Sequence, residues 1–262
     1  MQIHPSAIVH PEATLAGDVE VQAFTIIEAG VRIGAGSVIG PHCVIGRGTT
    51  LGKNTATFSG AQIGVPPQDL KHLKGVFGKT IVGDNCIFRE FVTVSSSTVY
   101  GDDEEGKVTT IGDDCMFMAC THVAHDCQVG SGVIMANGAA LAGHVTVQDG
   151  VTVGGLTGVH QFCVLGQMAF IGGMSRINKD VLPYMITEGI PACCHGPNAI
   201  GLERSGKSKE AIARIRAIYK LLYRSSLNTS QALEEIEDRV EDCEERRVLS
   251  EFVRNSTRGI SK

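Results

Sequence analysis

Aliphatic residues return every six positions along most of this chain. Written from Ile3, the first blocks read IHPSAI, VHPEAT, LAGDVE, VQAFTI, IEAGVR and IGAGSV, each opening on Ile, Val or Leu. The phase holds to Ile63 and breaks. It returns at Val82, Phe88 and Val94, breaks again, and then runs without a slip from Ile111 through the block that starts at Ile177. A fixed short period is the mark of a repeat architecture. Six residues make one short flat strand and one tight turn, with the first residue facing inward and Gly or a small residue letting the corner turn. Three such units close a coil of about 18 residues, and coils stack about 4.8 Å apart. The pattern therefore predicts a parallel β-helix whose core is a narrow aliphatic column.

Past Pro183 the sixes disappear and a helical spacing takes over. Ile212, Ile215, Ile218, Tyr219 and Leu222 recur at three and four residues, with Ser208 placed as N-cap and Glu210 in the first turn. Leu233, Ile236, Val240, Leu249, Phe252 and Val253 mark one or two further amphipathic helices, and the acidic run from Glu234 to Glu245 reads as their solvated face. The expected domains are a β-helix over 1–190 and a helical domain over 191–262, joined by the connector PACCHGPNAIGL. Two loop excursions interrupt the prism, at about 65–80 and 95–110. The first carries Gln68, Asp69 and Lys71 beside two prolines and reads as functional. The second is acidic at its centre, GDDEEGK, and reads as solvated surface.

Composition narrows the class. The formal net charge is -5, with no basic stripe, which argues against a nucleic-acid binder. Gly is abundant at 32 residues, Trp is absent and aromatics make up 5%, as a narrow aliphatic core would require. The nine cysteines are odd in number and irregularly spaced, and the chain opens without a signal-peptide pattern, so the expectation is reduced thiols in a cytoplasmic protein. Adjacent Cys193 and Cys194 lack the CxxC partners of a metal site. No apolar run is long enough to span a membrane.

Candidate chemistry gathers at THVAHDCQVG, residues 121–130. Blocks that start at 123, 141 and 159 lie one coil apart, so His125, His144, His160 and Gln161 stack on one stripe, with His122 near the same edge. The core already has its aliphatic column, so these side chains are not core filling. Three readings fit. The histidines ligate zinc shared between subunits; they are hydrogen-bonding residues at a trimer interface; or a neutral His acts as general base. In the last reading the neighbouring Asp126 fixes the His125 tautomer, and the Gly143 amide is placed in sequence to meet a developing oxyanion.

With these residues in view, the chain resembles the UDP-N-acetylglucosamine O-acyltransferases, the first enzymes of lipid A synthesis. The resemblance covers essentially the whole chain and is carried by QDLK (68–71), THVAHDC (121–127), LAGHV (141–145), VHQFC (159–163), GPNAIGL (196–202), YKLLYRS (219–225) and FVRNSTRGI (252–260). It implies a left-handed β-helix, a homotrimer, and transfer of a (3R)-hydroxyacyl chain from acyl carrier protein to the 3-hydroxyl of UDP-N-acetylglucosamine without a bound cofactor. It implies His125 as general base, Asp126 as its orienting partner and Gly143 at the oxyanion. Gln68, Asp69, Lys71, His122, His144, His160 and Gln161 then position the substrates. Asn198 and Arg204 resemble nucleotide contacts from a neighbouring subunit, and Gly173 resembles an acyl-length ruler that admits a long chain. The donor's phosphopantetheine arm would lie between prisms. Four departures stand out. Ser95, Ser96, Ser97 and Thr98 replace a His-Arg-Gly-Thr stretch, Ile200 replaces an acidic residue, Ser205 a basic one, and Pro191 stands where the family can place a histidine. They leave open a 3-amino sugar as acceptor.

Overall fold

The computed structural model describes residues 1–72, 76–98 and 108–261. Among the described residues, twenty-eight short strands wind into three sheets of 11, 9 and 8 strands, which form the walls of a left-handed parallel β-helix. The first sheet starts at Gln2–Ile3, the second at Ile8–Val9 and the third at Thr14–Leu15, and the chain visits them in rotation. In-register pairs confirm the coil length: Val123 lies beside Leu141, and Leu141 beside Val159. The inward residue of each strand is the one that opens its hexapeptide. Val21, Ile39, Leu51, Ile63, Val123, Leu141 and Ile171 are all at most 1% exposed and form one continuous core. Its largest pair, Phe88 and Phe117, stacks at 5.0 Å between neighbouring coils.

The corners explain how so tight a coil closes. At most corners from Phe24 onward, one residue steps into the left-handed region, whether Gly (Gly30, Gly132) or not (Phe24, Asn54, Leu156). This conformation costs a non-Gly residue energy, and the hydrogen bonds between coils hold it.

Both excursions leave from one corner. Ile63 on the second sheet pairs with Val94, 31 residues on, and Val94 pairs with Val123, 29 residues on, in place of the usual 18. The first excursion runs from the strand Gln62–Val65 to Lys79–Val82, the second from Thr93–Ser95 to Val108–Ile111. Each therefore bridges the second sheet to the third. The centre of the second, residues 99–107, lies outside the described residues. Its flanks are not the solvated surface expected from sequence: Ser95 to Thr98 and Thr109 are buried. Hydrogen bonds to the prism hold them there, among them Lys79 N–H to Ser97 Oγ at 2.9 Å.

The prism ends in an antiparallel hairpin, Met185–Gly189 with Ala192–Pro197, and the expected boundary near residue 190 falls in its turn. Four helices follow: α1 (Ala199–Arg204), α2 (Lys209–Tyr223), α3 (Thr229–Arg239) and α4 (Glu244–Asn255). Ser208 caps α2, accepting from the Ala211 N–H, and Ile212, Ile215, Ile218, Tyr219 and Leu222 form its buried face. These pack with Leu182, Tyr184, Leu202, Ile236 and Leu249 into a second core on the end of the prism. One member of the acidic run departs from its expected solvation. Glu245 is 4% exposed and accepts from Lys207 Nζ at 3.1 Å and Arg214 Nη2 at 3.1 Å. Burial works against its charge, but these two donors outweigh burial and hold the carboxyl below its ordinary range.

Candidate active site

The corner between the second and third sheets carries the candidate site. Asp126, His144 and Phe162 each occupy the left-handed corner step, with φ of 59°, 61° and 64°. They are 18 residues apart, so the three side chains leave the prism at one corner of three successive coils. The two coils below have given up this corner to the excursions. Gln68, Asp69, Leu70 and Lys71 from the first excursion thus face His125, His144, Gln161 and Phe162 across a cleft of about 820 Å³. The excursion arm is shaped by a turn in which the Lys71 N–H donates to Asp69 Oδ1 at 2.8 Å. It leaves Leu70 fully exposed at the mouth.

His125 and Asp126 form a dyad, with Nδ1 2.8 Å from Oδ2. The carboxylate is buried at 5% exposure, so its charge needs partners. Thr98 supplies two of them: its N–H donates to Oδ1 at 3.1 Å and its hydroxyl donates to Oδ2 at 2.6 Å. The His144 ring stands edge-on to His125, centroids 5.1 Å apart, with its Nε2 3.6 Å from Asp126 Oδ2. Phe162 stacks on the far face of His144 at 4.6 Å. His125 is thereby fixed through Nδ1, and Nε2 is left to meet a proton donor.

Gly143 lies against the imidazole. A Cβ built there would stand 2.5 Å from His125 Cε1 and 2.7 Å from Nε2, so only Gly admits the ring in this position. Its N–H has no hydrogen-bond acceptor among the described residues.

His125, Asp126 and His144 are also the one set among the described residues that brings three metal-capable atoms within 4.8 Å. The 2.8 Å approach of Nδ1 to Oδ2 is the length of a shared proton. Two atoms that each lie about 2.0–2.2 Å from a tetrahedral zinc stand farther apart than this. The geometry therefore fits a hydrogen-bonded dyad better than a zinc site.

The other residues expected from sequence are distributed around this site. Gln68, Asp69, Lys71, His144 and Gln161 line the cleft with His125. His122 points out from the second sheet one step before the corner, 2.7 Å from Thr93 Oγ1. Burial and the neighbouring His125 push its pKa down. His160 is exposed beside the cleft with Nδ1 on the Gln161 carbonyl at 3.1 Å. The six-residue count thus places four histidines on one edge, and the cleft takes in two of them. Gly173 sits at a different corner, between the first and second sheets. Asn198 caps α1, accepting from Gly201 N–H, while its Nδ2 donates to the Met168 carbonyl at the corner between the third and first sheets. Arg204 is exposed at the end of α1. These last three do not reach the cleft of their own chain. Of the departures from the expected pattern, Thr98 is none: it is the threonine that ends the expected stretch. Ile200 is exposed on α1, Ser205 caps α1, and Pro191 lies in the hairpin turn. The sequence reading missed Phe162, Leu70 and the bonds of Thr98 to Asp126. Phe162 was within reach, since it continues the corner series 126, 144, 162.

Comparison with known proteins places this arrangement. A family model described as bacterial transferase hexapeptide (six repeats) matches residues 24–56 and 109–143, and one described as UDP N-acetylglucosamine O-acyltransferase, domain 2, matches 180–261. A hexapeptide prism with a catalytic-type dyad at its corner and this helical cap defines an acyltransferase of the hexapeptide-repeat class. The acyl-[acyl-carrier-protein]–UDP-N-acetylglucosamine O-acyltransferase of Anaeromyxobacter sp. (strain K) is 43% identical over 196 residues, 75% of this chain and 74% of that one. The UDP-N-acetylglucosamine acyltransferase structure from Francisella novicida superimposes with a TM-score of 0.94 at 35% identity, covering 99% of this chain and 94% of the other. That from Bacteroides fragilis gives 0.94 at 37%, covering 99% of both. The chain belongs to the UDP-N-acetylglucosamine O-acyltransferase family.

Proposed function

We propose that the protein transfers a (3R)-hydroxyacyl chain from acyl carrier protein to the 3-hydroxyl of UDP-N-acetylglucosamine, the first step of lipid A synthesis. The observation that carries this is the His125–Asp126 pair at 2.8 Å, open to a cleft that an excursion arm encloses. His125 Nε2 removes the hydroxyl proton as the sugar oxygen attacks the thioester carbonyl. Asp126 holds Nδ1–H and stabilises the imidazolium that forms. The Gly143 N–H, without an acceptor among the described residues, meets the oxyanion of the tetrahedral adduct. Collapse breaks the carbon–sulfur bond, and the imidazolium returns its proton to the departing phosphopantetheine thiolate. Asp69, Lys71 and Gln161 position the sugar.

Face chemistry supports a homotrimer. Outward residues of the third sheet are mostly polar, including Arg32, Thr50, Thr110, Gln128 and Thr146. Those of the first are mostly apolar, including Val38, Ile87, Met116, Ile134 and Phe170. The corner between the first and second sheets exposes Phe24, Phe91, Leu156 and Met174, each at least 60%. Burying this corner at a threefold axis packs the first sheet of one protomer on the second sheet of the next. The corner that bears Asn198 then meets the neighbour's cleft, which accounts for Asn198 and Arg204 lying away from their own. On the second sheet, small outward residues Ala140 and Gly158 leave a groove from the cleft toward Gly173 for the acyl chain.

The test is mass spectrometry of products from a panel of hydroxyacyl carrier proteins offered UDP-N-acetylglucosamine and its 3-amino analogue in competition. An ester on the 3-hydroxyl is expected. An amide as the dominant product, or no product with any donor, overturns the reading.

A further inference from the structure

The second excursion closes on Asp126 from both of its ends. Thr98, at its start, binds the carboxylate by N–H and hydroxyl at once, and Thr109, at its end, accepts the Asp126 N–H on Oγ1 at 2.8 Å. Both threonines are at most 3% exposed. The Thr98 hydroxyl proton and the His125 Nδ1 proton converge on one oxygen, Oδ2, at 2.6 and 2.8 Å. A carboxylate is free to rotate about its Cβ–Cγ bond, and the imidazole alone would not stop it. Two donors from a single buried residue, one to each oxygen, fix the carboxylate plane so that Oδ2 faces Nδ1. Bonds of this charge-assisted kind are about twice as strong as neutral ones. If Thr98 only filled the corner, valine, with the same shape, would serve as well.

We propose that Thr98 is a positioning residue for acyl transfer, acting through Asp126 to hold His125 in its productive tautomer and orientation. This rests on the acyl-transfer reading above. Loss of the Thr98 hydroxyl keeps the Thr98 N–H on Oδ1 but removes the shorter bond on Oδ2, the oxygen that faces Nδ1, so the carboxylate twists and the imidazole drifts. It leaves the cleft walls that bind the sugar in place.

The experiment measures kcat, KM for the UDP-sugar and thermal midpoint for the intact protein and for Thr98→Ser, Thr98→Val, Asp126→Ala and the Thr98→Val/Asp126→Ala pair. Expected results are a kcat for Thr98→Val about 30-fold below the parent with KM within about twofold, and Thr98→Ser within about threefold of the parent. In the Asp126→Ala background, Thr98→Val should cause no further loss of the residual rate, since the residue it acts through is gone. Should valine prevent folding, Thr98→Ala carries the same comparison. The inference is overturned by a valine variant with parental kcat, by serine and valine falling alike, or by a valine effect undiminished in the Asp126→Ala background. His125→Ala separates the two layers. If it abolishes transfer while Thr98→Val does not slow it, only the role of Thr98 fails. If the intact protein transfers no acyl group, the underlying reading fails and takes this inference with it.

Discussion

Replacing Gly143 with alanine tests the site with one methyl group. Gly143 has no left-handed φ, so the backbone accepts alanine without strain. The new Cβ would lie 2.5 Å from His125 Cε1, 2.7 Å from Nε2 and 3.1 Å from Nδ1. Carbon atoms in contact rest about 3.5–4.0 Å apart, so the ring must retreat by about 1 Å. That displacement stretches the 2.8 Å bond to Asp126 beyond hydrogen-bonding range. A misplacement of about 1 Å in a reacting group costs on the order of 10²-fold, or about 2.7 kcal/mol of barrier. Alanine keeps the N–H, so the loss reports on His125 rather than on the oxyanion donor. In a steady-state acyl-transfer assay with both substrates varied, Gly143→Ala should lose about 10²-fold in kcat with both KM values within about threefold. The ring is partly exposed and has room to move outward, so the thermal midpoint should fall by no more than about 3 °C. Parental kcat in a folded Gly143→Ala variant would refute the placement of His125, and with it the dyad as engine of the reaction.

Three further outcomes follow from the same geometry. Exhaustive chelation should leave acyl transfer unchanged; activity lost on chelation and restored by zinc would turn His125, Asp126 and His144 into a metal site. Leu141→Ala opens a cavity in the closed aliphatic column, where Leu141 is fully buried, and should cost about 2–5 kcal/mol in denaturant unfolding; a cost under about 1 kcal/mol would mean that the coils collapse around the gap. The Glu245 carboxyl is held below its ordinary range, so the unfolded chain binds its proton more readily, and its stabilising contribution is complete above about pH 4.5 and fades as pH falls further. Glu245→Gln should therefore flatten the acid limb of a stability-against-pH curve, and an unaltered limb would show that Lys207 and Arg214 do not depend on that charge.

The prism is legible in the sequence because its core is periodic. One inward aliphatic per strand, repeated with a fixed count, gives the strand, the coil and the corner that His125, Gly143 and Gln161 share. The hand of the coil has no such signature and came from resemblance. Thr98 escaped because its bonds to Asp126 span 28 residues, across an excursion that breaks the count. Phe162 escaped because a phenylalanine in a repeat protein reads as core, whereas the left-handed corner step turns it outward onto His144. His122 sits on a flat face, a step before the turn, and simple proximity in sequence cannot separate a face from a corner. Asn198 lies on another edge of its own column, beside the Met168 carbonyl, so the six-residue count could not link it to a cleft and only the resemblance pointed to a neighbouring subunit.

Each circuit of the prism leans only on the circuits above and below it. The height of the cleft over the open lower rim is thus set in whole storeys. An insertion of 18 residues well beneath Val65 would lift the cleft by about 4.8 Å and leave its furnishings alone. A single residue added between Val123 and Val159 would swing one landing of the staircase away from the next and take the cleft apart.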